Sequence, residues 1–408
     1  MRHITLFLLA CLLAACVSAP PPRPPATVVL ISLDGFRPSE LGTGRAPNLD
    51  AIARDGVRAE YMRPSYPSLT FPNHYTLVTG LRPDHHGVVQ NTMRDAVLGR
   101  FRIKDTRATD DARWWNAAEP LWVTAERAGL PTATMFWPGS SAAIGGVRPR
   151  EWRPYDHGFP AETRVDTVLG WLTRPAAERP RFITLYFERL DEASHDHGPD
   201  SPEARAAVSA VDGYVGRLRA GIAANGLRDA VDLVVVSDHG MAEVQPGHEI
   251  AVDTMVPADV AEPVTTGQSL GFQPLPGREA EARQQLLGRH EHYECWTRET
   301  LPARWHYGRN PRVPPIVCQM DEGWNAQTAA TVNRRVPGAS RGDHGFDPAL
   351  PSMRALFVAE GPSFRHGLRL PAFDNVDVYP MLAHLIGVTP RDNDGNPATL
   401  QPALVRGR

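Results

Sequence analysis

The stretch "TVVLISLDG", residues 27–35, is an almost unbroken apolar run closed by Asp34 and Gly35. A run with no polar alternation suits a strand covered on both faces, the usual state of a strand in a parallel sheet. "RFITLYF" (181–187) and "DLVVVSDHG" (232–240) repeat the pattern, and "TATMFW" (132–137) is a shorter version. Between them lie helical signals: "PNLDAIARDG" (47–56), amphipathic and stopped by glycine, then 119–128 and 203–224. Strands alternating with helices predict an α/β class fold, an α/β/α sandwich around a mostly parallel sheet.

In such sheets ligands collect beyond the carboxyl ends of the strands. Those ends carry chemistry here. Asp34 closes the first run, Asp191 and His195 follow the second, Asp238 and His239 close the third, and "GDHGFD" (342–347) adds His344. A strand-end Asp often only caps the next helix, and a lone His often only packs. Together, carboxylates mixed with imidazoles suit zinc or a similar divalent ion, and would stay unpaired without cations. "YPSLTFPNHYTLVTG" (66–80) places Thr70 before an apolar helical run. Thr70 reads as the start of a helix over 72–79, whose first N–H groups would face an anion.

The bulk numbers exclude some functions. The 408 residues hold 22% charged residues and a net charge of -3, so no field draws nucleic acid or an anionic membrane. The start, "MRHITLFLLACLLAACVSAP", is basic and then apolar over a stretch too short for a lasting span. Its "LAAC" resembles a bacterial lipobox, with residues 1–16 as signal and Cys16 as the acylated anchor; ordinary cleavage near Ala19 is the other reading. Residues 17–26 follow as a proline-rich tether. The expected location is periplasmic, membrane-anchored, with Val17 favouring the outer membrane. Export leaves Cys295 and Cys318 as an even pair in an oxidising compartment, and a disulfide is expected. "RHEHYEC" (289–295) is a weak metal alternative. Between 263 and 340 strong strand runs vanish and Pro, Arg, Trp and His crowd in. This reads as an insertion capping one edge of a core formed by 27–262 and 341–408, stapled by the disulfide.

"LISLDGFRP", "PSLTFPNHYTLVTGLRPDHHGVVQN", "YFERLDEASHDHGP", "VVVSDHGM", "GDHGFD" and "NVDVYPMLAHLIGVTPRDNDGN" occur in that order between residues 28 and 396. The set resembles the nucleotide pyrophosphatase/phosphodiesterase family of the alkaline phosphatase superfamily. The resemblance implies an alkaline-phosphatase-like fold and two zinc ions, one on Asp34, Thr70, Asp238 and His239, the other on Asp191, His195 and His344. It implies Thr70 as nucleophile, Asn91 as a holder of a phosphate oxygen, and Phe71 with Tyr186 as the aromatic pair flanking a nucleobase. His197 matches no ligand. Leu190 and Ser194 stand where many members carry proline and glycine, which leaves that segment's shape open.

A neutral Asn91, with no lysine or arginine in "GVVQNTM", favours a diester over a monoester. The expected activity is hydrolysis of nucleotide phosphodiester or pyrophosphate bonds on a small substrate, through a covalent threonine intermediate, releasing a nucleoside monophosphate. A lysophospholipid or choline-type diesterase and a monoesterase on the same scaffold are the near alternatives. A non-catalytic zinc-binding lipoprotein is the distant one.

Overall fold

The computed structural model describes residues 26–334, 338 and 340–405. The signal, Cys16 and nearly all of the tether lie outside them. An eight-stranded sheet forms the centre, in the order Leu368–Leu370, Val57–Ala59, Phe357–Glu360, Val231–Val236, Thr27–Leu33, Phe182–Phe187, Thr132–Met135, Glu151–Arg153. Its pairings are parallel except the two made by Phe357–Glu360, which runs antiparallel to both neighbours. The three strongest apolar runs are adjacent at the centre: Val29 pairs with Ile183 on one side and Leu233 on the other.

Strand alternation divides the core into two layers. Val28 and Leu30 face helices Thr70–Thr79, Leu121–Arg127 and Val378–Ile386. Val29, Ile31 and Leu33 face Pro47–Asp55, Ala161–Leu172 and Pro202–Ala224. With helices on both faces every residue of the first strand is buried, which is why its sequence lacks polar alternation. The mostly parallel sandwich expected from the sequence is the observed fold.

The 263–340 segment differs from its reading as strand-poor. Ala261–Thr265, Ser269–Pro274, Ile316–Met320, Tyr293–Thr297 and Gly288–Arg289 form a five-stranded sheet in that order, antiparallel throughout. One face packs on helix Glu279–Leu286; strand Tyr293–Thr297 alternates, burying Tyr293, Cys295 and Thr297, while the central strand Ile316–Met320 is buried at every position. Pro263 sits in a strand paired on one side only, where a missing N–H is tolerated. Cys295 and Cys318 face each other in register and are disulfide-bonded. The bond clamps two neighbouring strands of this sheet; it does not staple the sheet to the core.

Candidate active site

Because Phe182–Phe187, Thr27–Leu33 and Val231–Val236 are parallel neighbours, their carboxyl ends open onto one edge. Asp34 leaves the middle strand with its backbone N–H donating to Phe187 O at 3.0 Å. Asp238 and His239 leave the third strand at Ser237, and Gly240 follows because a Cβ there would meet Ser352 O at 2.0 Å. Asp191 and His195 lie on helix Arg189–His197, one turn apart on one face. Leu190 and Ser194 are both buried in that helix, a shape that neither residue opposes. His344 arrives from beyond the antiparallel sheet.

These six residues form two groups. Ligand atoms of Asp34, Asp238 and His239 lie within 4.8 Å of one another, as do those of Asp191, His195 and His344. They are the candidate metal-holding groups among the described residues; Cys295 is spent in its disulfide, and His197 is exposed. The rings of His239 and His344 stack at 3.6 Å and join the two groups.

Proton bookkeeping shows what the groups are prepared to bind. A backbone carbonyl only accepts, so a ring nitrogen against one must carry the proton. His239 Nδ1 donates to Gly240 O at 2.9 Å, His195 Nδ1 to Gly342 O at 2.9 Å, and His344 Nδ1 to Ser68 O at 3.0 Å. With its ring neutral, each turns an Nε2 lone pair inward, at 3.4 Å from Asp34 Oδ1 and 2.9 Å from Asp238 Oδ2 for His239, and at 3.4 and 3.6 Å from Asp191 for His195 and His344. Asp34 Oδ1, Asp191 Oδ1 and Asp238 Oδ2 are buried and accept no hydrogen bond. Burial and the charges of Asp238 and Asp191 push the Asp34 carboxyl well above its ordinary range. Burial and the neighbouring His239 and His195 push His344 well below its own. Lone pairs facing unsatisfied carboxylate oxygens fit divalent cations, and the Asp/His mixture fits zinc.

Thr70 is the first residue of helix Thr70–Thr79, after Leu69 as N-cap. Its hydroxyl does not cap the helix; it lies 3.3 Å from His239 Nε2, beside the first group. The first turn offers fewer amides than the sequence suggests. Phe71 N–H donates to Asn91 Oδ1 at 3.0 Å, Pro72 has none, and Asn73 N–H returns to Leu69 O at 3.1 Å. Thr70 N–H meets no acceptor among the described residues. The Phe71 bond orients Asn91, leaving its NH2 as a second donor.

The aromatic residues divide. Phe71 is half-buried, with its ring 6.0 Å from those of Phe101 and Trp115. Tyr186, expected beside it as a flanking surface, donates its hydroxyl to Asp34 Oδ2 at 2.6 Å and meets the His74 ring at 5.2 Å. Tyr155, unnoticed in the sequence, is 52% exposed and lies 6.3 Å from Tyr186. A cavity of about 560 Å3 opens next to Asn91, His195 and His344, walled by the first strand of the antiparallel sheet and the turn after it. Arg100, Arg102 and Glu262 line it. Glu262 pairs with Arg94 at 2.6 Å and lies 3.9 Å from Arg100, while Arg102 has no ion pair among the described residues.

The family model described as "Type I phosphodiesterase / nucleotide pyrophosphatase" matches residues 28–347. The chain belongs to that family. It is accordingly an enzyme of the phosphodiesterase/nucleotide pyrophosphatase class. Human ectonucleotide pyrophosphatase/phosphodiesterase family member 7 is 36% identical over 391 residues, 92% of this chain and 83% of that protein. A pyrophosphatase/phosphodiesterase of Schizosaccharomyces pombe is 34% identical over 91% of this chain and 79% of its own length. Human family member 1 is 35% identical over 95% of this chain, which spans only 43% of that larger protein. Among solved structures, murine ectonucleotide pyrophosphatase/phosphodiesterase 5, an inactive threonine-to-alanine variant in complex with AMP, matches with a TM-score of 0.87 and 32% identity. That match covers 93% of this chain and all of that one. No helix among the described residues is long and apolar enough to cross a membrane.

Proposed function

We propose that this enzyme cleaves nucleotide phosphodiester or pyrophosphate bonds with Thr70 as nucleophile and releases a nucleoside monophosphate. Residues 27–262 and 341–408 form its catalytic core and 263–340 the wall of its substrate cavity. Asp34, Asp238 and His239, with Thr70, would hold one zinc ion, and Asp191, His195 and His344 the other. Bound there, such ions supply Lewis acidity for an in-line displacement and lower the hydroxyl pKa. The observation that carries the reading is the set of three histidines, each pinned through Nδ1 to a backbone carbonyl with Nε2 turned to an unsatisfied carboxylate.

Thr70 Oγ1 gives up its proton and forms a bond to phosphorus as the leaving-group oxygen departs with the electron pair of the broken P–O bond, the proton passing to that oxygen or to solvent. Water then cleaves the Oγ1–P bond, returning a proton to Thr70. Thr70 N–H and Asn91 Nδ2 hold a non-bridging phosphoryl oxygen through both steps. Two neutral donors, with no third cation, suit the single charge of a diester. Phe71 offers a face to the nucleoside, while Tyr186 holds Asp34 in place. The cavity beyond His195 receives the leaving group. Its spare charge is the cation of Arg102, which favours an anionic leaving group such as pyrophosphate over a choline cation. The inactive murine threonine variant with AMP supports both the nucleophile and the product.

Export and anchoring through Cys16 complete the proposal; the "ecto" names of relatives and the disulfide agree with an oxidising compartment. The test is turnover of p-nitrophenyl thymidine monophosphate and ATP by wild type and Thr70→Ala. The variant should lose roughly 1000-fold or more in rate; comparable turnover would refute the nucleophile. Faster hydrolysis of p-nitrophenyl phosphate or glycerophosphocholine than of either nucleotide would refute the substrate class.

A further inference from the structure

His74 lies one turn after Thr70, on the buried face of the same helix, and is itself fully buried. Its ring nitrogens are both engaged, unlike those of the three ligand histidines. Nδ1 is 2.8 Å from Thr70 O, which only accepts, so Nδ1 carries the proton. Nε2 lies 2.8 Å from Ser32 Oγ and accepts from its hydroxyl. Ser32 sits two residues before Asp34 on the central strand. Nδ1 also stands 3.3 Å from Asp238 Oδ2, an electrostatic contact that leaves that oxygen without a hydrogen bond. Trp137 and Tyr186 hold the ring by edge contacts at 4.9 and 5.2 Å. One imidazole thus touches the nucleophile's own carbonyl, the strand bearing Asp34, and the Asp238 carboxylate. These parts belong to three separate elements.

We infer that His74 is a positioning residue: it sets Thr70 against Asp34 and Asp238 without touching substrate. This rests on the proposed role of Thr70. An apolar side chain would fill the same space more cheaply, because a buried polar ring is tolerated only when every polar atom is satisfied. The ring's two hydrogen bonds, not its volume, are what the position needs. A displacement of the nucleophile by a fraction of an ångström acts on the rate while leaving the binding surfaces in place.

The test compares His74→Phe, which keeps a ring and loses both bonds, with His74→Asn, whose Nδ2–H can still reach Thr70 O. Each is measured for kcat and KM on p-nitrophenyl thymidine monophosphate, AMP affinity by calorimetry, metal content and Tm. We expect His74→Phe to lose about 100-fold in kcat with KM and AMP affinity little changed, and His74→Asn to recover a large part of that loss. Should His74→Phe fail to fold, Ser32→Ala decides: a fall in kcat of about tenfold at unchanged AMP affinity supports the role. Unchanged kcat in His74→Phe or Ser32→Ala overturns the inference. So does a parallel loss of kcat, AMP affinity and Tm with no advantage for His74→Asn, which is the signature of packing alone. Full activity in Thr70→Ala would instead remove the proposed function itself.

Discussion

The two ligand groups share a residue vocabulary but are built in opposite ways. Asp34, Asp238 and His239 ride on the ends of neighbouring parallel strands and are 1% exposed or less. Asp191 and His195 sit on a helix, with side chains 15% and 34% exposed, and His344 comes from a connection after the antiparallel sheet. The buried group is fixed by the hydrogen-bonded sheet and lies against Thr70. The other opens on the cavity. On the proposed mechanism the difference separates two tasks: one group would hold Thr70 in register, and the other would meet leaving group and water.

The strongest way to break this comparison is to remove one member of each group. Asp238→Asn should lower turnover by roughly 1000-fold, because a cation's charge stabilisation of several kcal/mol goes with it. His195→Ala should cost less, about 100-fold, with partial recovery when excess zinc is added. Equal losses in the two variants, measured under saturating substrate, would erase the distinction. Chelation sharpens it. Incubation with EDTA should remove metal in two phases, the ion of the exposed group first, and His195→Ala should lack the fast phase.

Smaller effects test the supports on either side. Replacing Cys295 and Cys318 by serine opens a loop of 23 residues. A urea melt should then show a loss of about 3 kcal/mol, with kcat of the folded fraction near wild type, since the bond lies within the insertion sheet. On the buried side, His86 packs beneath the nucleophile helix. Its Nε2 donates to Pro72 O at 3.1 Å and its Nδ1 accepts from Val88 N–H at 3.1 Å. Burial, with His85 and Arg312 nearby, pulls its pKa down to about 3. The unfolded chain binds this proton near pH 6.5 and the native state does not. The stabilisation is therefore complete above pH 6.5 and lost as pH falls toward 3. Between pH 7 and 5 this one group should remove about 2 kcal/mol, a slope that His86→Gln should flatten in denaturant titrations at the two pH values.

The same contrast explains what could be read from the sequence. The three central strands were legible because burial on both faces leaves continuous apolar runs, and their terminal Asp and His residues mark the catalytic edge. The antiparallel sheet was hidden. Its strands are short, two of them carry Pro263 and Gly271, and the buried run Ile316–Met320 directly follows Pro314 and Pro315, so it reads as part of a loop. The three histidines of the candidate metal groups were singled out from their place after strands and from resemblance to a family, and the structure gathers them with the carboxylates. His74 was not, because a histidine inside "NHYTLV" has the look of core packing and its partner Ser32 is 42 residues away. The loss of the Phe71 amide to Asn91 was equally invisible, since it depends on two segments meeting in space. The bond from the Tyr186 hydroxyl to Asp34 was likewise invisible, since the two residues lie 152 positions apart.

Strand Phe357–Glu360 enters the sheet between Val57–Ala59 and Val231–Val236, and His344 precedes it by only thirteen residues. A ribosome or export channel delivers the chain from its N-terminus. Thr70, Asp34 and Asp238 are therefore all present long before the sheet can close or the second group can gain its last ligand. On the proposed mechanism, the half-made protein would carry its nucleophile with no completed centre around it. The proposed centre would therefore be complete only once the final quarter of the chain, which brings His344 and strand Phe357–Glu360, has emerged.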